Sequence, residues 1–310
     1  MFSTVYDLII IGTGCTGLAA AMYSGRLNLK TLVIGDTRGG TIILTDIVEN
    51  YPGFKKLTGI ELSEKLEEHA REYGIEIKDD KVIELNKNND VFEVKTNNKR
   101  YLGKSILLAT GSRFKELKVP GEKEFMNKGV HTCALCDGIF YRDKIVAVIG
   151  GSDSAAKEAL LMTQWASKVY IIARGDKLKP EPINMKRVQD NKKIGIITKT
   201  NVTKIEGKDK VEKVILDNKY KGKNELKLDG VFLAIGHIPL SELAIKLGVK
   251  VNEKKEIIID RESKTNIQGM FAAGDVVDTK FKQAITGVGE AVVAVYSAYE
   301  YIMKSEIIPT

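Results

Sequence analysis

Two cysteines separated by two residues carry the clearest chemical signal in the sequence, Cys133-Ala134-Leu135-Cys136, and Asp137 follows them directly. Thiols at this spacing can close a small disulfide ring and reopen it. The pair lies between two glycine-rich turns, one opening at Gly12 and one at Gly150, and both turns are of a type that holds a dinucleotide phosphate. The combination predicts an enzyme that passes electrons between cofactors and a cysteine pair.

A zinc site is the main alternative for a CxxC pair. It would need two further ligands from Cys15, His69, His131 and His237, and none of these falls in a ligand-spaced pair. His131 lies close to the cysteines, but one extra ligand does not complete a tetrahedron. We therefore favour redox chemistry and predict no metal site.

The length and composition describe a folded globular protein. A chain of 310 residues exceeds what one hydrophobic core usually serves, so two domains are expected. No apolar run is long enough to cross a bilayer, and residues 1–4 show neither a basic n-region nor a cleavage site. Because the chain has only three cysteines, two of them in a CxxC pair, we expect a reducing compartment and predict the cytoplasm.

The formal net charge of +7 does not by itself indicate a nucleic-acid partner. The lysines and arginines are interspersed with acids, as in Glu61–Arg71 and Lys208–Lys213, and no basic stripe with interleaved aromatic residues stands out. We predict no binding to nucleic acid or membrane. A modest positive face would instead suit an acidic protein partner.

The first nucleotide-binding pattern has its full structural context. An apolar strand, Val5–Ile11, runs into Gly12-Thr13-Gly14-Cys15-Thr16-Gly17, and an alanine-rich helix follows. Gly12 permits the turn, Gly14 lets a pyrophosphate approach the backbone, and Gly17 lets helix and strand pack closely. Cys15 is expected to be a small packing residue.

Later segments add candidate contacts to the first site. A second strand, 30–34, ends at Gly35 and Asp36, and a carboxylate at this place can bind a ribose. Two further strand ends, Ser105–Gly111 and Gly269–Asp275, match the carboxyl edge where open α/β folds bind ligands. A long final helix is predicted over 284–302.

The second nucleotide-binding pattern is imperfect. A strand at 144–149 leads into Gly150-Gly151-Ser152-Asp153-Ser154, a helix is predicted through about Ser167, and the next strand covers 168–172. Ser152 occupies the middle glycine position, where its side chain takes up space that a pyrophosphate would approach. Arg174 and Lys179 are the candidates for a 2′-phosphate, although an ordinary solvated arginine explains the first nearly as well.

These motifs together resemble the low-molecular-weight thioredoxin reductases, within the flavoprotein disulfide reductases that have two dinucleotide-binding domains. The likeness runs almost end to end, and CxxC-Asp-Gly just before the second pattern is its most specific part. It is carried by Gly12–Gly17, Gly39-Gly40, Val48–Gly53, Ala109–Gly111, Cys133–Gly138, Ala234–His237, Phe271–Asp275 and Gln283–Thr286.

The resemblance implies an α/β fold of two Rossmann-like (three-layer ββα) domains, the second inserted into the first. We predict an FAD domain over 1–116 and 244–310, and an NAD(P)H-binding-like domain with the CxxC over 117–243. A rotation of the inserted domain, with joints near Glu116–Gly121 and His237–Ser241, would expose the cysteines alternately to flavin and to a protein substrate.

The resemblance also implies that FAD occupies the first site and NADPH the second. The candidate FAD residues are Gly12, Gly14, Cys15, Thr16, Gly17, Gly35, Asp36, Gly40, Thr41, Thr45, Asn50, Val82, Ala109, Thr110, Gly111, Gly274, Asp275, Lys282, Gln283 and Ala284. The candidate NADPH residues are Gly150, Ser152, Asp153, Ser154, Arg174 and Lys179.

By analogy with this family, Cys136 faces the flavin and Cys133 attacks a disulfide of a thioredoxin-like protein. Asp137 is the candidate acid/base, with a turn-forming Asp-Gly as the alternative. A homodimer is implied by the family alone.

The sequence departs from the family pattern mainly at the second site. Thr41 replaces a glutamine, Ser152 a glycine, and Lys179 and Lys282 arginines, while Ala173-Arg174-Gly175 stands in place of His-Arg-Arg. The electron donor therefore stays open between NADPH, NADH and reduced ferredoxin. A flavin-binding protein without turnover, whose CxxC is structural, is the alternative from another class.

Overall fold

The structure, a computed structural model, describes residues 5–45 and 47–307, except for the side chains of 305–307. The chain divides into two units, one comprising Met1–Arg113 with Ile238–Thr310 and the other Phe114–His237. Each crossing lies a few residues before the boundary predicted from the sequence, at 116/117 and 243/244. The second unit is thus an insertion within the first.

Most of the helical residues that the structure describes lie in the first unit. Its strands are β1 (Val5–Ile11), β2 (Thr31–Gly35), β3 (Glu76–Asp79), β4 (Val82–Asn88), β5 (Val91–Thr96), β6 (Arg100–Leu108) and, late in the chain, β17 (Met270–Ala272). Its helices are α1 (Cys15–Arg26), α2 (Gly59–Glu72), α6 (Glu242–Lys246) and α7 (Ala284–Ile307), with short 3₁₀ helices at Gly40–Leu44 and Gly274–Val276.

The second unit contains the cysteine pair. Its strands are β8 (Val130–His131), β9 (Ile145–Ile149), β10 (Lys168–Ile172), β11 (Ile194–Ile197), β12 (Val202–Gly207), β13 (Val211–Tyr220), β14 (Lys223–Lys227) and β15 (Gly230–Leu233). Its helices are α3 (Ala134–Asp137), α4 (Asp153–Met162) and α5 (Pro182–Asp190), with a 3₁₀ helix at Gly138–Tyr141.

The two units repeat one topology. In the first, the strand order is β3-β2-β1-β6, with β17 parallel to β6 and the antiparallel β5-β4 hairpin extending the sheet. In the second, the parallel order is β11-β10-β9-β15-β8, accompanied by an antiparallel β12-β13-β14 sheet. The predicted pair of Rossmann-like units is confirmed.

The central strands are buried on both faces, as their unbroken apolar runs predict. Leu8, Ile9 and Ile10 of β1 have no exposed surface. On one face of the sheet, small residues of α1 and α7, among them Ala20 and Ala294, let both helices pack closely on it. This packing fixes the N-terminus of α1 at the carboxyl end of β1, where the first glycine turn lies.

One helix is shorter than predicted. α4 ends at Met162 instead of continuing to about Ser167. The amides of Thr163, Gln164 and Trp165 bond to carbonyls three or four residues back, and the Ser167 amide then donates to the Lys144 carbonyl at 2.9 Å. The chain must leave the helix there to align β10 with β9.

The two crossings pair with each other. β7 (Ser112–Phe114) and β16 (His237–Pro239) form a two-stranded sheet. The Lys115 amide donates to the Gly236 carbonyl at 2.9 Å, and the rings of Phe114 and His237 lie 4.8 Å apart between centroids. Within the part of the chain that the structure describes, no helix is long and apolar enough to span a membrane.

Candidate active site

The two cysteines of the inserted unit form a disulfide. Their Cα atoms are 5.4 Å apart, and Cys133 is the N-cap of the one-turn helix α3. The Cys136 amide donates to Cys133 Sγ at 3.1 Å, and the Asp137 amide donates to the Cys133 carbonyl at 3.2 Å. Cys133 is only 7% exposed, whereas Cys136 is exposed. The turn therefore supplies a backbone donor to one of the two sulfurs.

A buried histidine lies behind this turn, and sequence reasoning considered it only as a zinc ligand. His131 Nδ1 lies 3.0 Å from Asp137 Oδ2, and its Nε2 lies 2.8 Å from the Tyr141 hydroxyl. Burial, with added repulsion from Asp137, raises the pKa of Tyr141 to about 12. The hydroxyl therefore stays protonated at neutral pH and remains able to donate to His131 Nε2.

The first glycine turn is built as predicted. Gly12 has φ +121°, and a Cβ there would lie 2.1 Å from the Ala109 carbonyl oxygen. A Cβ on Gly17 would lie 1.9 Å from the Gly12 carbonyl oxygen. These two glycines are required by the chain itself, because the turn after β1 passes close to the residue that follows β6 and α1 packs against the same turn.

Gly14 is different, because the protein leaves room beside it. It is the N-cap of α1 in extended backbone (φ −77°), and a Cβ would meet nothing nearer than the Gly39 oxygen at 3.7 Å. Neither strain nor crowding within the described chain requires a glycine here. The space at the N-terminus of α1 is what a phosphate-binding cradle needs.

A second loop closes over this turn. The Gly39 amide donates to the Thr13 carbonyl at 2.9 Å, and Gly39 and Gly40 both have left-handed backbone. Gly35 lies against the Thr13 side chain, and Asp36 is exposed at the end of β2. Thr41 is exposed in the first turn of the 3₁₀ helix Gly40–Leu44, and the Thr45 carbonyl accepts from the backbone amide of Gly59 at 2.9 Å, which fixes the start of α2.

Three later segments of the first unit reach the same edge of the sheet. The side-chain Nδ2 of Asn50 donates to Gln283 Oε1 at 2.9 Å, a hydrogen bond between residues that are 233 positions apart in the sequence. Thr110 Oγ1 donates to the Leu240 carbonyl at 2.7 Å, and Ala109 and Gly111 flank it at the end of β6. Ala284 begins α7 directly after Gln283.

The Asp275 loop is held by two residues. The Glu290 carboxylate accepts from the Gly274 amide at 2.8 Å, a support that sequence reasoning missed because it comes from the second turn of α7. Lys282 Nζ donates to the Asp275 carbonyl at 3.1 Å and pairs with Glu256 at 3.1 Å. Lys282 thus contacts Asp275 and Glu256 in this structure. Together with Glu290 it holds the loop that places Asp275 beyond the end of β17.

Three other predicted contact residues have plain local surroundings. Thr16 lies against Gly274 and Gly287, and a Cβ on either glycine would be 2.5 Å from its hydroxyl oxygen. Val82 opens β4, half-buried. Cys15 is buried with Val48, Leu57 and Leu62, and burial raises its thiol pKa to about 12, so it behaves as the expected packing residue.

The second glycine turn repeats the first almost bond for bond. Gly150 has φ +151°, and a Cβ would lie 2.2 Å from the Ala234 carbonyl oxygen, as with Gly12 and Ala109. Ser152 takes the place of Gly14, with nearly the same backbone angles (φ −91°, ψ −178°) at the N-cap of α4. Its bridge to Lys179 corresponds to the bridge between Gly14 and Gly39. The backbone of the cradle is preserved, and Ser152 adds an exposed side chain at the position where Gly14 has none.

The other predicted residues of the second site divide into two kinds. Burial alone would raise the pKa of Asp153, but donors from Asn184, Lys157 and the Glu181 amide outweigh it and lower that pKa. Its Oδ1 accepts from the Glu181 amide and Asn184 Nδ2, both at 2.8 Å, so this carboxylate anchors α5. Ser154, Arg174 and Lys179 are exposed.

Glu158 of α4 was not singled out in the sequence. Its Oε2 is buried without a hydrogen-bond partner among the described residues, and burial raises its pKa to about 8. It lies three residues after Ala155 and four before Met162, both fully buried, which places it on the core-facing side of the helix.

Comparison with known proteins assigns the chain to a family. The model of the pyridine nucleotide-disulphide oxidoreductases matches residues 6–291. The chain belongs to this family. The thioredoxin reductase of Bacillus subtilis is 40% identical over 301 residues, 96% of this chain and 95% of that protein.

Solved structures of the same family agree. The thioredoxin reductase of Lactococcus lactis is 37% identical with a TM-score of 0.93, covering 96% of this chain and 99% of that one. A ferredoxin-flavin thioredoxin reductase of Clostridium acetobutylicum is 33% identical with a TM-score of 0.55, covering 98% and 100%. The resemblance found in the sequence is confirmed, and with it an oxidoreductase that acts on disulfides.

The first site fits the FAD that this family uses. The open space beside Gly14, the N-terminus of α1 and the Asp275 strand end lie on one edge of one sheet. The second site retains the turn but places Ser152 in the cradle and leaves Arg174 without a neighbouring arginine in the sequence.

Proposed function

We propose that this protein is an FAD-dependent thioredoxin-disulfide reductase that takes its electrons from NADPH. The observation that carries the proposal is the Cys133–Cys136 disulfide on a helical turn that ends in Asp137, in a chain that also contains an intact flavin cradle. Bound FAD supplies a carrier that accepts two electrons from the donor and delivers them to a disulfide.

The cysteine turn is suited to the second half of the reaction. Two electrons and two protons open the disulfide to two thiols. The Cys136 amide, 3.1 Å from Cys133 Sγ, stabilises a thiolate on Cys133. As Cys133 passes its proton to Asp137, its thiolate attacks one sulfur of the partner's disulfide and forms a mixed disulfide, and the departing partner thiolate takes that proton from Asp137. Cys136 then attacks Cys133 Sγ, which restores the disulfide, and its proton goes to the second partner sulfur, which leaves as a thiol.

Attack by Cys133 requires its sulfur to be uncovered, because the residue is 7% exposed in this structure. The chain passes between the two units at the paired strands β7 and β16, and the inserted unit would turn about these two connections. We expect a chemical cross-link between the two units to stop reduction of a protein disulfide while leaving reduction of the flavin by the donor intact. Normal turnover of the cross-linked enzyme would contradict a rotation.

The donor is tested by mixing the purified flavoprotein with NADPH, NADH and reduced ferredoxin in a stopped-flow instrument. NADPH is expected to bleach the flavin absorbance within one catalytic turnover. The preserved turn at Gly150 and the exposed Arg174 support this donor. Bleaching that is slower than turnover would reject it.

Reduced ferredoxin is the second candidate donor. It is favoured by Ser152 at the Gly14-equivalent position and by the similarity to a protein described as a ferredoxin-flavin thioredoxin reductase. Ser152→Gly separates the two candidates. The variant should bind NADPH more tightly if the hydroxymethyl group is the obstacle, and it should leave the ferredoxin reaction unchanged.

We further propose a cytoplasmic homodimer. A disulfide that must open in each cycle suits a reducing compartment, and the dimer follows the resemblance to the family. Size-exclusion chromatography with light scattering tests the assembly, and a monomer at micromolar concentration would reject it.

A further inference from the structure

The strongest unassigned feature is the buried chain Asp137–His131–Tyr141 behind the cysteine turn. His131 is 6% exposed, its ring stacks on Phe232 with centroids 5.3 Å apart, and the Tyr141 ring packs edge-on against it at 5.4 Å. Both ring nitrogens face polar atoms, at 3.0 Å and 2.8 Å. Packing therefore fixes the ring plane, and the two polar neighbours determine where its proton resides.

The tautomer follows from the partners. An ionised carboxylate can only accept, so a neutral imidazole facing Asp137 carries its proton on Nδ1, and its Nε2 is then left to accept from the Tyr141 hydroxyl. That N–H faces Asp137 Oδ2, although at an angle outside hydrogen-bond geometry, and such contacts often tighten only when the reacting complex forms. His131 would then hold Oδ2 of Asp137, and Oδ1 would exchange the proton with the reacting thiols.

We propose that His131 is a positioning residue that holds the acid/base carboxylate of Asp137 by one oxygen, in the tautomer that suits Asp137 on one ring nitrogen and Tyr141 on the other. The inference rests on the proposed function and adds to it how the proton donor is oriented. In the balanced step, Asp137 gives its proton to the partner thiolate that leaves when Cys133 attacks. His131 keeps its own proton throughout and contacts neither sulfur nor substrate.

The test uses dithionite-reduced holoenzyme in single turnover with two disulfides that differ in their leaving thiol. Oxidised bacterial thioredoxin releases an ordinary cysteine thiolate, whereas 5,5′-dithiobis(2-nitrobenzoic acid) releases an aromatic thiolate that leaves without protonation. His131→Phe should slow the thioredoxin reaction roughly tenfold, a part of what an acid/base group supplies. Its reaction with the aromatic disulfide should stay within about twofold of the wild-type enzyme, since no proton donor is needed there.

Two further comparisons distinguish a role of His131 in orienting Asp137 from a role in packing alone: a conservative variant and a double variant. His131→Asn keeps a polar group near the Nδ1 position, so it should reduce thioredoxin faster than His131→Phe even though the smaller side chain leaves a cavity. Asp137→Asn should lose roughly a hundredfold, and adding His131→Phe to it should cost nothing more, because the histidine acts only through that carboxylate. Tyr141→Phe should lie between the wild-type enzyme and His131→Phe, and Tyr170→Phe in β10 is its matched control.

Three results would overturn the inference: equal slowing with both disulfides, His131→Phe faster than His131→Asn, or losses that multiply in the double variant. Flavin content and thermal midpoint are measured for every variant, so that a misfolded protein is recognised. A wild-type enzyme that reduces neither disulfide after dithionite treatment would instead reject the proposed function itself.

Discussion

Glu158 offers the sharpest test of the structure's energetics. Its carboxyl is buried in the core face of α4, with an Oε2 that lacks a partner among the described residues, and burial raises its pKa from 4.5 to about 8. Glu158→Gln replaces the protonated carboxyl with a neutral group of similar size that does not titrate. The variant should therefore resemble the acid form of the wild-type protein at every pH.

The sign of the effect follows from proton linkage. Below about pH 4.5 the carboxyl is protonated in both the folded and the unfolded chain, so the variant should gain no stability. Between that pH and about 8 the folded chain keeps a proton that the unfolded chain releases, and wild-type stability falls as the pH rises. Above about pH 8 the difference is complete, with an upper limit of about 5 kcal/mol in favour of the variant.

The assay is urea unfolding at pH 5 and pH 9, followed by tryptophan fluorescence. The chain has one tryptophan, Trp165, which lies just beyond α4 and reports on the unit that contains Glu158. Free energies come from midpoint and slope. Glu124→Gln, an exposed glutamate of the same unit, is the control. A Glu158→Gln advantage that is the same at both pH values would refute the reasoning.

Other predictions concern the first unit. Gly14→Ala should fold normally, because its Cβ meets only ordinary contacts in the protein, but it should lose flavin, because that Cβ occupies the space beside the α1 N-terminus. Gly17→Ala should destabilise the fold, since its Cβ would lie 1.9 Å from a carbonyl oxygen. Absorbance at the flavin band and the thermal midpoint distinguish the two variants. Thr58→Ala removes the capping box of α2 and should cost about 1 kcal/mol in urea unfolding, and no loss would contradict the cap. Cys15, with a thiol pKa of about 12, should resist iodoacetamide at pH 8 in the folded enzyme, and its rapid alkylation would show that the site opens.

Local patterns predicted the parts of the site that lie close together in the sequence. Val5–Ile11 and its glycine turn could be predicted because a buried parallel strand, a turn and a helix each leave a periodic or compositional signal. The end of α4 could not, since Thr163–Trp165 contains no glycine or proline and the stop depends on the pairing of β10 with β9.

Side-chain partners across the fold were beyond sequence reasoning. Asp153 at a helix start has the same appearance whether it binds a nucleotide or, as here, accepts from Glu181 and Asn184 about thirty residues later. Glu290 under the Asp275 loop and His131 behind Asp137 are of the same kind. The only local signal for His131 was its position two residues before Cys133.

The central claim is that the flavin and the Cys133–Cys136 disulfide exchange electrons. An anaerobic dithionite titration, followed at the flavin absorbance and by thiol counting, tests it most directly. The wild-type enzyme should take up two more electrons per chain than Cys136→Ser and gain two titratable thiols, because its disulfide is reduced together with the flavin. Equal uptake by both proteins, with no new thiols in the wild-type enzyme, would contradict the account.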